Sequence, residues 1–315
     1  MKVTNRVMQS AVVGAVSLLA LSSAAFATGA GTSNGPVTEA GETIGLALGA
    51  ALPEGLYFVN TASIVHNEGA GALSRATLDV LVNIPVLAWS TPWDILGGHV
   101  EAYGALPAAI VNSDGLGAVG KPLGGSAGQY NPALLVGIAW DLGNNFHFSN
   151  FVGGYAPISQ PGFSYANATN NVWTFNERPS LAYLANGYNI GINAIWGTST
   201  STTEATQTNG AGKSCAKVSC QRADYINLDM HALKTIGKWE LGPVAYYTRD
   251  TSRDSDNTPE NEQFALGAMA GYGFGGITAQ AYITHDVENS STHLLGGADT
   301  RFFLRFIVPL WNPSK

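Results

Sequence analysis

Apolar and polar residues alternate with a period of two along much of this 315-residue chain, which is typical of β-strands with two different faces. Residues 301–311 show the pattern most clearly, because Arg301 and Arg305 fall on one face and a set of apolar side chains falls on the other. The apolar set is Phe302, Leu304, Phe306, Val308 and Leu310. An amphipathic aromatic strand near the end of the chain predicts the closing strand of a membrane β-barrel, with its arginines facing the lumen.

Similar segments recur along the chain and predict about twelve strands, an even number as in single-chain outer-membrane barrels. The strands are expected at 55–66, 74–90, 97–111, 132–142, 145–157, 173–185, 188–198, 222–234, 238–249, 262–274, 276–286 and 300–311. In 145–157 and 173–185 the apolar residues do not keep to one face, and Pro157 and Pro179 interrupt the pattern. The predicted fold is all-β: an antiparallel transmembrane β-barrel.

Short and long connections alternate between these strands. Tight turns rich in Gly or Asn are predicted near 142–145, 185–187, 235–238 and 273–276. Longer polar connections are predicted at 113–130, 159–171, 199–221, 250–261 and 287–299. This alternation indicates short periplasmic turns and long external loops.

Aromatic residues bracket two of the predicted strands. Tyr188 and Trp196 flank one apolar face, and Trp239 and Tyr247 flank another. Such pairs are typical of the aromatic girdles at the two membrane interfaces. Packing of the same rings in the core of a sandwich is the alternative.

The N-terminal region predicts export. Lys2 and Arg6 precede an apolar run at 11–21, and residues 25–27 read Ala-Phe-Ala, so a cleaved signal peptide is expected over 1–27. Residues 28–53 form a separate N-terminal segment, whose apolar part at 44–52 is either a plug in the barrel lumen or a simple leader strand or turn. The barrel is expected over 54–315, in the bacterial outer membrane, and the even number of strands predicts both chain termini on the periplasmic side.

Composition narrows the expected partners. Only 12% of the residues are charged, which is about half the usual share of roughly 25% in globular proteins. The formal net charge of −7 argues against nucleic acid as a partner. Outer-membrane lipid and lipopolysaccharide are the expected surroundings, and the oligomeric state is left open.

Polar residues on the predicted inner faces form the candidate site. They are Arg75, Asp79, Asn83, His99, Glu101, Tyr103, Asp229, His231, Tyr282, Arg301 and Arg305. About twelve strands imply a narrow lumen that can be blocked. These side chains are interpreted either as contacts for a solute or as charge pairs that make the barrel rigid, and both interpretations remain open here.

Other chemistry has little support in the sequence. Cys215 and Cys220 predict a small-loop disulfide, since no further metal ligand lies near them. The acidic residues within 250–262 could bind divalent cations, but they lack the spacing of a calcium loop. No catalytic residue, cofactor or metal site is predicted, and the chain is not expected to be an enzyme, although barrel strands could assemble a Ser–His hydrolase site.

Four stretches resemble the meta-pathway phenol-degradation family of outer-membrane proteins, which is related in kind to fatty-acid and toluene channels. They are LPEGLYFVN at 52–60, ILGGHVEAYGALP at 95–107, the run at 224–247 and RFFLRFIVPLW at 301–311. The resemblance implies passive uptake of small hydrophobic or aromatic compounds, and it supplies no binding or catalytic residues. The alternatives are a structural or adhesin-like barrel that acts through its external loops, and a lipid hydrolase. The chain departs from common outer-membrane barrels because residues 312–315 follow Trp311.

Overall fold

The computed structural model describes residues 37–68, 77–114, 126–157, 172–200, 223–252, 262–289 and 297–313. The strands are β1 (Gly55–Glu68), β2 (Thr77–Ile95), β3 (Gly98–Ala105), β4 (Ala108–Asp114), β5 (Ser126–Gln129), β6 (Ala133–Gly143), β7 (Phe146–Tyr155), β8 (Thr174–Ala185), β9 (Tyr188–Ser199), β10 (Tyr225–Ile236), β11 (Trp239–Asp250), β12 (Glu262–Gly273), β13 (Thr278–Asn289) and β14 (Asp299–Trp311). Within these ranges no helix is long and apolar enough to cross a membrane.

All strands belong to one antiparallel sheet that closes on itself. β1 pairs with β2 on one side and with β14 on the other, so that Val59 lies opposite both Val86 and Ile307. β3 and β4 both pair with β2, so together they occupy one strand position in the wall. β6 pairs with β3 and β5 pairs with β4, so β5 and β6 together occupy the next position. The barrel therefore has twelve strand positions, which confirms the predicted fold class.

The tight turns lie at one end of the barrel. Asn186 and Gly187 connect β8 to β9 with φ angles of 52° and 75°, the positive values that a type I′ hairpin turn requires. In a bacterial outer-membrane barrel the short turns are periplasmic, which places the start of β1 and the end of β14 at the periplasmic end.

The outer face of the wall is apolar and carries aromatic rings. Tyr188 and Trp196 point outwards at the two ends of β9, with 47% and 38% of their surfaces exposed, and Trp239 is 51% exposed at the periplasmic end of β11. Between the rings, Ile190 and Ile192 are also exposed. An outer face of this kind is suited to hydrocarbon, with the rings at the headgroup level.

A sharp boundary marks the external limit of this apolar face. Four polar side chains lie in register on neighbouring strands and point outwards: Asp79, His66, Thr300 and His285. One layer nearer the periplasm, the corresponding positions are Leu81, Ile64, Phe302 and Ile283. We therefore place the edge of the hydrocarbon between these two layers.

The faces of β2 are the reverse of the prediction. Val80 and Val82 are buried on the inner face, where Val82 lies beside Ser63, a residue whose hydroxyl contacts the segment inside the barrel. Asp79 and Asn83 therefore point outwards. The prediction failed because both faces of β2 carry apolar residues, and the polar ones on the outer face are paired with polar neighbours on β1.

Candidate functional site

Residues 37–53, which we call the plug, run through the lumen of the barrel. Val37 packs beside Tyr155, the last residue of β7, and the Thr38 hydroxyl lies 2.8 Å from that of Tyr225, the first residue of β10. Both contacts are at the external end. At the other end of the plug, the Leu52 amide lies 2.6 Å from Glu101 near the start of β3. The first described residue, Val37, therefore lies at the external end of the lumen, and the plug leaves the lumen at the periplasmic end. The N-terminus lies outside the described residues, so the periplasmic position of both termini stays a prediction.

The plug is a series of turns with a buried apolar side chain, Ile44, near its middle. The amides of Ile44, Leu46 and Ala50 each donate to the carbonyl three residues earlier. Ile44 is fully buried, and it belongs to a cluster with side chains from five strands of the wall. The cluster also contains Ala40, Leu233, Val244, Tyr246, Ala265, Met269, Tyr282 and Phe303. This side of the lumen is filled with protein.

Asp229 on β10 is an anchor for the plug backbone. Its carboxylate accepts hydrogen bonds from the Gly41 amide at 2.8 Å, the Thr43 amide at 2.8 Å and the Thr43 hydroxyl at 2.7 Å. Asp229 is fully buried, and burying a carboxylate is costly unless its oxygens are hydrogen-bonded. The turn at 41–43 supplies these donors, so Asp229 and the plug depend on each other.

Arg305 on β14 binds the carbonyl oxygens of the plug, whereas Asp229 binds its hydrogen-bond donors. Its guanidinium donates to the carbonyl oxygens of Glu42 and Ile44. The other bonds go to wall residues: Thr61 at 2.9 Å, Gln280 at 3.0 Å and Tyr282 at 2.7 Å. These five bonds use all the N–H groups that an arginine has.

Two further arginines bind the external half of the plug. Arg301 donates to the Ala40 carbonyl and forms an ion pair of 2.9 Å with Asp299. Arg178 on β8 forms an ion pair of 2.9 Å with Glu42 of the plug and also donates to the Tyr155 hydroxyl at 2.9 Å. Arg178 was not among the predicted lumen residues, because Pro179 beside it interrupts the strand pattern. Asn176, Arg178 and Ser180 nevertheless occupy every second position of β8 and so share one face.

His231 contacts the middle of the plug as a neutral imidazole. Its Nδ1 accepts from the Gly45 amide at 3.2 Å, so the hydrogen belongs on Nε2, which donates to Asn189 Oδ1 at 3.1 Å. The Asn189 side-chain amide in turn donates to the Gly45 carbonyl at 3.3 Å. Both polar groups of the Gly45 backbone are thus bound by the wall.

Glu101 and Ser90 hold the periplasmic end of the plug. Glu101 accepts from the Leu52 amide and from the Tyr103 hydroxyl. The Ser90 hydroxyl lies 2.8 Å from the Leu52 carbonyl and 2.8 Å from His99 Nε2, while His99 Nδ1 lies 3.1 Å from Asp94. The hydrogen-bonded series from Ser90 to His99 to Asp94 resembles a hydrolase triad. However, Ser90 is completely buried and its hydroxyl is bonded to the plug. The arrangement serves to anchor Leu52.

The structure brings eight of the predicted lumen residues together around the plug. They are His99, Glu101, Tyr103, Asp229, His231, Tyr282, Arg301 and Arg305. Asp79 and Asn83 lie on the outer face, as described above. Arg75, Cys215 and Cys220 lie outside the described residues, so the disulfide stays a prediction. No group of three or more metal-binding side chains occurs in the described ranges.

An apolar groove of about 470 Å³ is set into the wall beside the external half of the plug. It lies where β3 ends and β4 begins, and where Tyr130, Asn131 and Pro132 separate β5 from β6. Its lining is Phe58, Pro85, Val86, Leu87, Gly104, Ala105, Leu106, Pro132 and Ala133. Proline has no N–H to give to a strand ladder, so prolines at this seam locally interrupt the sheet. Leu87 and Leu106 are exposed, whereas Ala105 and Ala133 pack towards Val37 of the plug.

The closed barrel, its apolar belt and its filled lumen define an outer-membrane β-barrel protein. Residues 61–302 match the family described as MetA-pathway of phenol degradation, so the chain belongs to that family. No curated protein matches the chain in sequence.

A solved outer-membrane channel shares the fold. The COG4313 outer membrane channel from Pseudomonas putida F1 superposes with a TM-score of 0.64 at 14% identity, covering 82% of this chain and 97% of that one. The CymD monoaromatic hydrocarbon channel gives a TM-score of 0.43 at 10% identity, covering 84% of this chain and 90% of the other. The NalP translocator domain from Neisseria meningitidis gives 0.47 at 11% identity, with coverage of 82% and 90%. The TM-score of 0.64 shows a shared fold, whereas the two scores below 0.5 do not establish one.

Proposed function

We propose that this protein is a passive outer-membrane channel for small hydrophobic or aromatic compounds. The single observation that carries the proposal is the apolar groove in the wall at the seam between β3–β4 and β5–β6. A pocket of this size and apolar character suits a small organic molecule. The family to which the chain belongs, which is described by phenol degradation, points to the same class of solute.

The filled lumen supports a route for apolar rather than charged solutes. Buried charges of the wall are bound to the plug backbone, so a hydrated ion that followed the barrel axis would have to break those bonds. An apolar molecule in the groove meets Leu87, Leu106 and Ala133 and leaves no polar group unpaired. We therefore place the path for the solute along the seam, with Val37 of the plug on its inner side.

Gly104 allows a direct test of this route. A Cβ added at Gly104 would meet no atom within 4 Å, and Gly104 lines the groove, so Gly104→Leu should narrow it. In liposome swelling with a small aromatic solute, we expect uptake by this variant to fall several-fold. Gly273→Leu is the matched control, because an added Cβ there meets only the Lys238 carbonyl at 3.9 Å and lies far from the seam. Uptake that is equal in both variants would contradict the route, and absence of uptake by the unmodified protein would contradict the function.

A further inference from the structure

Three buried carboxyl groups face one another around the external half of the plug, and they differ in their partners. Glu42 pairs with Arg178 at 2.9 Å, and Asp229 accepts three hydrogen bonds from the plug. Glu39 has one bond, from the Ser63 hydroxyl at 2.6 Å, and its Oε2 atom is buried without a hydrogen-bond partner. Glu39 is therefore the least satisfied carboxyl group of the three.

The groups facing Glu39 come from the plug and from four strands. Arg301 on β14 is the nearby cation; its Nη atoms give hydrogen bonds to Ala40, Gln263 and Asp299, and its Nε has no hydrogen-bond partner. Glu42 on the plug and Asp229 on β10 add negative charge. Tyr282 on β13 and Ser63 on β1 complete the surroundings. An ionised Glu39 would thus be buried beside two acidic groups and a cation whose hydrogen bonds go elsewhere.

We infer that Glu39 acts as a pH-dependent latch for the external end of the plug, holding it when the carboxyl is neutral and loosening it when the carboxyl ionises. Burial is the main cause that raises the pKa of Glu39 from 4.5 to about 7, and Glu42 and Asp229 add to it. In a displaced plug the carboxyl would be in water and would regain its ordinary pKa. Because the docked pKa is the higher one, docking is favoured at low pH and weakens as the pH rises towards 7.

The expected size of the effect follows from these two pKa values. Between pH 5.5 and pH 8.5, the equilibrium constant for opening of the plug should rise on the order of 30-fold. Nearly all of the change should fall below pH 8, since Glu39 is fully ionised above that value in both states. As a regulator of uptake, the latch rests on the channel function proposed above, whereas the opening of the plug can be measured without any solute.

Hydrogen exchange at the plug amides, followed by mass spectrometry on the full-length protein in detergent, tests the latch. After correction for the intrinsic pH dependence of exchange, residues 40–46 should open about 30-fold more at pH 8.5 than at pH 5.5 in the unmodified protein. Glu39→Gln should remove this dependence and be at least as protected as the unmodified protein is at pH 5.5. Glu54→Gln, which changes an acid just outside the plug, is the control and should behave like the unmodified protein.

A second variant keeps the test decisive if Glu39→Gln fails to assemble. Ser63→Ala removes the hydrogen bond that favours the ionised carboxyl, so the pH midpoint of opening should move upwards. The latch is refuted if opening in the unmodified protein does not depend on pH, or if Glu39→Gln keeps the full dependence. Because the readout is plug opening and not flux, a protein that passes no aromatic solute could still show the latch.

Discussion

Asp229 offers the sharpest test of how the plug is held, because one carboxylate accepts three hydrogen bonds from the plug. Asp229→Ala would leave the Gly41 and Thr43 amides buried without partners and would deprive Arg305 of a nearby negative charge. Breaking a buried charged network from one side typically costs about 3–5 kcal/mol. Since the lost bonds join wall to plug, we expect most of that cost to appear as weaker docking.

The cost corresponds to an increase of roughly a hundredfold to a few thousandfold in the open population of the plug, at roughly 1.4 kcal/mol for each factor of ten. Asp229→Asn keeps one acceptor oxygen, so its effect should be about half as large in free energy. Two assays report the change: hydrogen exchange at residues 41–45, and the frequency of open events in planar-bilayer recordings.

Asp286→Asn is the matched control for this experiment. Asp286 is a buried aspartate whose bonds go to wall residues, namely Tyr246, Gln263 and the Asp299 amide. We expect it to lower the stability of the barrel and to change plug exchange little. Plug exchange that is unchanged in Asp229→Ala, or equally raised in Asp286→Asn, would refute the view that Asp229 anchors the plug specifically.

Two other predictions concern the plug core and a periplasmic turn. Ile44→Ala should weaken docking of the plug by about 2–5 kcal/mol, because it leaves a cavity among Leu233, Tyr246 and Phe303. The expected result is faster hydrogen exchange at the plug amides, with little change in the heat-dependent gel shift of the barrel. Gly187→Ala should lower the free energy of unfolding by about 1 kcal/mol because of the φ of 75°, and further because the added Cβ would lie 3.2 Å from the Thr235 carbonyl oxygen. Gly97→Ala is its control, because Gly97 has the same φ and an added Cβ there meets no atom within 4 Å. Equal urea midpoints for the two variants would contradict the expected destabilisation by the Thr235 contact.

The sequence pattern predicted wall positions well wherever one face was wholly apolar. Within 301–311 of β14 and 225–233 of β10 the polar side chains are on one face only, so Arg301, Arg305 and Asp229 were placed in the lumen as the structure has them. In β2 both faces are largely apolar, and periodicity alone cannot say which one meets lipid. The face is set by pairing with β1, whose Ser63 contacts the plug.

The contacts of the plug could not be read from local patterns. Asp229 meets residues 186 and 188 positions away, and Arg305 meets carbonyls 261 and 263 positions away. A backbone carbonyl cannot be recognised from the sequence, because every residue has one. Sequence reasoning could therefore name the wall residues that bind, but it had no means to see that their partner is the backbone of 38–46.

The way in which the lumen charges are used bears on selectivity. Arg305 gives all five of its N–H groups to the plug and the wall, and Asp229 accepts three bonds from the plug. Charged groups that are committed in this way cannot bind a passing solute without first releasing the plug, which costs several kcal/mol. The groove at Gly104 and Ala133, by contrast, offers only shape and apolar surface. We therefore expect the protein to distinguish solutes by size and hydrophobicity, so that benzoate should pass more slowly than an uncharged ring of the same size.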